Sequence, residues 1–533
     1  MDLRIALTDL LRENHEKPLH CLTFAYTAFQ STKPENMYRL LLIIIMAIPS
    51  AIIAQVPLTP SESIDFTKVT AYNEIAPFLS NTQKVSPFLK LPVIGQSVNK
   101  RNIHAVTFSS GEFGKDSTKV KVLMFAQQHG NEQSGKEAAL LLIRELTRPE
   151  NHYLLSRLDI AIIPQVNPDG SELNQRRNAS QADLNRNHLI LTEPETKALH
   201  AFFDQFLFEV TLDVHEYSPY SDEWVNEGFR KNTLVALGAP TNLNVSEKIR
   251  NFAANKTLPF VMNQLSLNNY SSFVYCPGDP PGKGYLRHST FDINDGRQSF
   301  AIQQTLSFIQ EGMNGTDNYI QNLKQRSLSQ MAGMRSLLEF SYTNRDEILK
   351  IVNDERKALV QGSVTAGISI QSTHAGNGQQ LQLPVLSVKT GRDSTLTITD
   401  YRPVVRSLTE VKKPVAYLVP DDLTEVLDWA ERQKLTRKPY KPVPTDRIER
   451  AFVQRIDFID FEGDTVVNPG LEPQIFSPEE ISKTYIEIPT NQLKGLMVAI
   501  ALEPKSMLGL VTYDKYRHLL RDLTWFPILK LYR

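Results

Sequence analysis

From about residue 120 onward, short apolar runs alternate with segments whose apolar residues recur at helical spacing. VKVLMFA (120–126) is β-rich and gives way to polar residues. NEQSGKEAALLLIRELTR (131–148) places Ala138, Leu141, Leu142 and Leu146 on one side of a helix. LDIAIIPQV (158–166) reads as a buried strand, and Glu193-Pro194-Glu195 opens a helix through Phe206 with proline in its first turn. FEVTLDVHEY (208–217) and TLSFIQEG (305–312) are further strands. This alternation predicts an α/β fold with a mixed, mostly parallel central sheet and helices on both faces. Residues 268–297, rich in Gly, Pro and Asn, read as a long loop. A long polar helix is expected at 317–356, β-rich sequence at about 360–415, and a strand followed by a helix at 414–435. We expect an accessory C-terminal region of β-rich or α+β character over 360–533, and find no internal repeats.

One apolar run differs from these. LLLIIIMAIPSAIIA (40–54) follows Arg39 and ends in small residues. It is short for a membrane span and reads as a signal peptide, cleaved after Ala54, with Met37 the expected true start. Residues 1–54 are thus expected to be a leader, and the mature chain to be exported, periplasmic or secreted, with no stable membrane span. A length of 533 residues suggests two or three domains. With 58 Lys+Arg against 59 Asp+Glu, no electrostatic reason exists to expect nucleic acid as a partner. Two cysteines, Cys21 and Cys276, imply neither a Cys-based zinc site nor a disulfide framework. A metal here would need His, Asp or Glu ligands.

Four predicted strands run into residues capable of catalysis: Gln127-Gln128-His129-Gly130-Asn131-Glu132, Asn167-Pro168-Asp169-Gly170, Asp213-Val214-His215-Glu216 and Gln310-Glu311-Gly312. Ligands of open α/β sheets bind at carboxyl ends of strands. Each residue alone is weak; an isolated strand histidine is more often a packed core residue. The joint occurrence is site-like. Two histidines and one carboxylate (His129, Glu132, His215) leave one tetrahedral zinc position open, the ligand count of catalytic zinc. A further carboxylate could take a proton from a metal-activated water and return it to a leaving amine. The segment 176–188, RRNASQADLNRNH, carries arginines that suit carboxylate recognition. An aspartate there, or Asp213, could orient a ligand histidine through its second nitrogen.

HGNE (129–132), NPDG (167–170), RRNASQADLNRN (176–187), DVHE (213–216) and SFIQEG (307–312) together resemble the zinc carboxypeptidase family of the carboxypeptidase A type, over about 75–345. The resemblance implies the zinc carboxypeptidase fold and one zinc ion held by His129, Glu132 and His215. It implies Asp183 as partner of a ligand histidine, and Arg176 as the group that polarises the scissile carbonyl, with Arg177 a neighbouring contender. Asn185 and Arg186 would hold the terminal carboxylate of a peptide substrate, and Glu311 would be the general acid/base. Glu339, inside a predicted helix, is the less favoured base. Tyr270, Tyr275 and Tyr285 all lie where the family's mobile tyrosine is sought. YIEIPTNQLKGLMVAIALEPKS (485–506) is similar to the tail of large exported bacterial members. The competing expectations are an N-acyl amino acid deacylase of the succinylglutamate desuccinylase/aspartoacylase type, a peptidoglycan stem-peptide amidase, and an inactive binding module on the same scaffold.

Overall fold

The structure, a computed structural model, describes residues 56–315, 320–363, 367–461, 464–481 and 483–533. The leader expected at 1–54 and the first residues of the helix expected at 317–356 lie outside the described residues. Val56–Arg533 cluster as one compact unit.

The strands that build the site are, in chain order, β1 (Leu89–Lys90), β2 (Val106–Phe108), β3 (Val120–Ala126), β4 (Leu158–Ile163) and β5 (Val210–Tyr217). They continue with β6 (Phe229–Lys231), β7 (Val235–Gly238), β8 (Ser272–Val274), β9 (Leu306–Met313) and β10 (Leu381–Ser387). Eight of them form one sheet in the order β1-β2-β4-β3-β5-β9-β7-β8. Its centre, β4-β3-β5-β9, is parallel. The β1–β2, β2–β4 and β9–β7 pairs are antiparallel. The expected mixed α/β sheet is therefore present.

Alternation along the central strands explains why both faces are covered. Side chains of successive strand residues point to opposite faces. Val122 and Met124 join a core cluster with Leu140 and Leu142 of helix α1 (Gln133–Leu146). Leu123 and Phe125, between them, join a second cluster with Leu199 and Phe203 of a helix spanning Pro194–Phe206. The strands read as near-continuous apolar runs in the sequence because they are buried on both faces, Lys121 of β3 being only partly so.

The helix expected at 317–356 is two helices, Leu323–Thr343 and Arg345–Val360. The break falls at Asn344, whose side chain donates to the Phe340 carbonyl (2.9 Å), satisfying a helix-end acceptor. The expected loop at 268–297 contains β8, a two-residue strand at Leu286–Arg287 and the start of a helix at Gly296–Ala301.

The chain beyond 360 packs onto the elements that carry the candidate site. β10 extends β6 through antiparallel pairs such as Val385 with Lys231. A helix at Thr424–Arg432 contributes Trp429, whose indole N–H donates to the Leu189 carbonyl (2.8 Å). Gln433 donates to the carbonyls of His188 and Leu189 (3.0 and 2.7 Å). The C-terminal region thus grips the backbone just after the DLNRN segment.

Candidate active site

Three loops and two strand ends converge at the carboxyl edge of the parallel sheet. After β3 the chain turns through Gln127 in the left-handed region (φ 59°) and delivers His129 and Glu132. Gly130 permits this path: a Cβ there would lie 2.1 Å from the Gly170 carbonyl carbon. Asn167 knits the two loops together, donating to the Gln128 carbonyl (3.1 Å) and accepting from Gly170 N–H (2.8 Å). The NPDG stretch is therefore a brace. Its Asp169 is buried and bound to Arg101 (2.6 Å) and to the Asn99 N–H (2.9 Å), and takes no place among the metal-type groups.

The ligand-type atoms of His129, Glu132 and His215 lie within 4.8 Å of one another, and all three residues are buried. His129 Nδ1 is 2.7 Å from Glu132 Oε1, and His215 Nδ1 is 2.9 Å from Glu132 Oε2. The two Nδ1 atoms are 3.2 Å apart. Each ring also meets a carboxylate on its far side. His129 Nε2 lies 3.1 Å from Asp183 Oδ1, and His215 Nε2 lies 2.8 Å from Asp213 Oδ1. A carboxylate can only accept, so each Nε2 carries an N–H, and each Nδ1 faces the centre, where it would offer its lone pair to a metal once deprotonated. Ligands about 2.0–2.2 Å from a tetrahedral zinc are themselves roughly 3.3 Å apart, close to the separation of these nitrogens. The donor set fits one zinc ion.

The electrostatics favour a cation at this point. Burial raises the Glu132 carboxyl, but His129 and His215 outweigh it and hold the group well below the usual carboxylate range. Asp183 is likewise held low, against its burial, by His129, Arg176 and Arg186. Burial would lower His215, yet Asp213 and Glu132 drive it well above the ordinary histidine value.

Glu311 reaches the same site from β9. It stands opposite His215 in the parallel β5–β9 register and is 7% exposed. Burial lifts its carboxyl to about 7; His215 and His129 pull it down, while Glu132 and Asp213 push it up. A carboxyl near neutrality beside a cation site suits proton transfer. Glu339 lies elsewhere, paired with Arg335 (2.7 Å) and accepting from Tyr153 Oη (2.6 Å) on the surface of the Leu323–Thr343 helix.

Of the two arginines at 176 and 177, Arg176 is at the site. Its Nη1 is 3.1 Å from His129 Nδ1, and its Nη2 is 2.9 Å from Asp183 Oδ2. Arg177 instead donates to the Gln181 carbonyl (3.0 Å) in its own loop. Asn185 is buried and its amide is engaged: Oδ1 accepts from Gly296 N–H (2.7 Å) and from Gln128 Nε2 (3.2 Å). Arg186 is exposed, with Nη1 donating to the Asn185 carbonyl (2.9 Å). Of the three tyrosines, all half-buried, Tyr275 is the one that feels the charge of Glu311.

Several supporting residues were given no role from the sequence. Gln128 donates to Asp213 Oδ2 (2.8 Å) and accepts from His188 Nε2 (2.7 Å). His188 in turn accepts from His200 Nε2 (2.9 Å). Gln330, on the helix opposite, donates to the His215 carbonyl (2.9 Å) and accepts from Gln310 Nε2 (2.9 Å). It thereby ties the strand of a metal-type residue to the strand of Glu311. Gly312 makes room, since a Cβ there would lie 2.3 Å from Gln330 Nε2. Glu216 faces away from the site and pairs with the buried Arg326. These are long-range polar contacts, which strand and helix periodicity does not encode.

An α/β sheet with a His–Glu–His cluster and a carboxylate at its carboxyl edge is an arrangement that suits a metal-dependent hydrolase. Residues 75–226 match the family model described as zinc carboxypeptidase. Over that stretch the chain resembles the zinc carboxypeptidase family, and it is a zinc metallopeptidase-type hydrolase. It is 24% identical over 454 residues to Carboxypeptidase 2 of Trichophyton rubrum, covering 82% of this chain and 79% of that protein. It is 28% identical over 242 residues to Carboxypeptidase D of Homo sapiens, covering 38% of this chain and 17% of that protein. Among solved structures, the metallo-carboxypeptidase from Burkholderia cenocepacia is 18% identical with a TM-score of 0.41, covering 52% of this chain and 70% of that chain.

Proposed function

We propose that the chain is a metallocarboxypeptidase that hydrolyses the peptide bond at or near a free C-terminus, with one zinc ion held by His129, Glu132 and His215. The observation that carries this reading is the placement of Glu311 directly across from His215, beside three converging donor atoms. Zinc, when bound, would lower the pKa of a coordinated water toward about 7 and polarise the scissile carbonyl.

The chain's own groups supply the rest. Glu311, lifted toward neutrality by burial, takes the proton of the attacking water and returns it to the leaving amine. Arg176 directs a guanidinium past His129 and stabilises negative charge developing on the carbonyl oxygen. Arg186, with Asn185 beside it, receives the terminal carboxylate. Asp183 and Asp213 fix the ring orientation of His129 and His215.

We assign residues 75–345 to catalysis and 360–533 to an accessory role, bracing the His188–Leu189 backbone. Among the described residues no helix is long and apolar enough to cross a membrane. We keep the reading of Leu40–Ala54 as an export signal as part of the proposal.

The relatives named carboxypeptidase favour a peptide over an N-acyl amino acid as substrate. Parallel assays on C-terminally free peptides, purified muropeptides and N-acyl amino acids test this. Peptide turnover exceeding the others supports the reading; turnover confined to N-acyl amino acids would replace it with the deacylase.

A further inference from the structure

A small cavity lies next to Glu311, on the same face of the sheet. Ala236 of β7 is the cross-strand partner of Glu311, and directly opposed residues share a face. Tyr217 stands two residues beyond His215 on β5 and so points the same way. Both line a cavity of about 40 Å³, together with Lys231, Tyr275 and Cys276. Lys231 arrives from β6, which the C-terminal strand β10 holds in place through the Val385–Lys231 pair.

The direct partners of the Lys231 ammonium are neutral, while Arg287, Glu311 and Asp279 act on it from farther off. It donates to the Cys276 carbonyl (2.8 Å) and lies 5.1 Å from the centre of the Trp224 ring. Among the described residues no carboxylate lies within 4.0 Å of it. Nearby Arg297 is already paired with Asp295 (3.2 Å). Burial lowers the Lys231 pKa to about 8, with Arg287 adding to the fall and the more distant Glu311 and Asp279 only partly opposing it. A cation so placed gains strongly from an incoming anion, because apolar walls strengthen the attraction. The volume suits a group of one to a few water-sized units, a carboxylate and not an aromatic ring.

We propose that this cavity is a subsite for an acidic side chain, an Asp or Glu flanking the bond to be cut, with Lys231 as its counter-charge. The inference rests on the peptidase reading. It gives the reaction a side-chain preference and gives the accessory region a part in substrate choice, since β10 holds Lys231 at the wall.

The test uses the full chain and matched peptides carrying Glu or Gln, first as the C-terminal residue and then as the penultimate one. We expect kcat/KM to favour Glu over Gln about tenfold or more at one position, corresponding to about 1.4 kcal/mol. In Lys231→Met that ratio falls toward one, and Lys231→Arg restores part of it. Equal rates on Glu and Gln in the unaltered protein overturn the inference, and this reading stands even if Lys231→Met fails to fold. A preference that survives Lys231→Met in folded protein also overturns it, leaving Lys231 as a brace for the Cys276 carbonyl. Glutarate binding by calorimetry reads the subsite without turnover: binding weakened about tenfold by Lys231→Met supports it, and unchanged or undetectable binding to the unaltered protein counts against it. Absence of cleavage of every peptide overturns the peptidase reading, while the glutarate result still decides the subsite.

Discussion

Glu311 and His215 are direct partners in the parallel register of two neighbouring strands, so the candidate base and a candidate metal ligand are fixed by the same backbone ladder. No loop has to close to bring them together. The sheet itself sets their spacing.

Glu311→Gln keeps the shape of the side chain and removes its ability to take a proton. We expect zinc content to be retained and kcat to fall about a hundred- to ten-thousand-fold. In the unaltered enzyme a base must be deprotonated to act, so kcat/KM should rise with pH along an acidic limb that Glu311 sets; its carboxyl lies at about 7 before a dication is added, and the added positive charge moves that limb lower. Steady-state kinetics across pH check both. Full activity in Glu311→Gln would remove Glu311 from the role.

Asp213→Asn alters the group that holds His215 Nε2 at 2.8 Å. An amide can present its N–H to that nitrogen and favour the wrong tautomer. Zinc affinity should weaken about ten- to a hundredfold, read by competition with a chromogenic chelator. Unchanged affinity would show that His215 needs no partner.

Gln330→Leu removes the side-chain donor to the His215 carbonyl and one of the two acceptors of the Gln310 amide, the other being the backbone carbonyl of residue 330, in a fully buried position. A loss of roughly 1–3 kcal/mol of stability is expected, together with a fall in kcat larger than any rise in KM, because the two strands lose their shared tie. Denaturant titration and kinetics measure the two effects. A stability loss with kinetics unaltered would make Gln330 a packing residue only.

His188 is buried and His288 half-buried, and both are held neutral, their pKa values lowered to about 4 mainly by desolvation. Unfolded histidines take up protons near pH 6.5. Between about pH 6.5 and pH 4 the unfolded chain therefore binds more protons, and stability falls as the pH falls. Urea midpoints across that interval should decline steadily toward acid. A flat profile would mean these histidines titrate in the folded protein.

The sequence announced the sheet because its central strands are buried on both faces and its helices keep one apolar side. The metal-type residues were legible for a related reason: His129 and Glu132 sit just past a strand, and His215 within one, where a polar residue in an apolar run is conspicuous. The NPDG stretch looked equally chemical, yet Asp169 went to Arg101. Sequence alone does not show which carboxylate will find a cation nearby. Asn344 was missed because one polar residue between two amphipathic helices looks like helix surface until a terminus forms there. The roles of Gln330, Gln128 and Lys231 were hidden for a different reason. Each acts through partners far away in the chain, and no local spacing records such a contact.

The most direct test is mass spectrometry of a defined peptide incubated with the purified full chain, before and after removal of metal by chelation and after zinc is restored. The account predicts loss of residues from the C-terminus, cessation on chelation and recovery with zinc. Cleavage that continues unchanged in protein shown to be free of metal, or no shortening of any peptide by zinc-loaded protein, would contradict it.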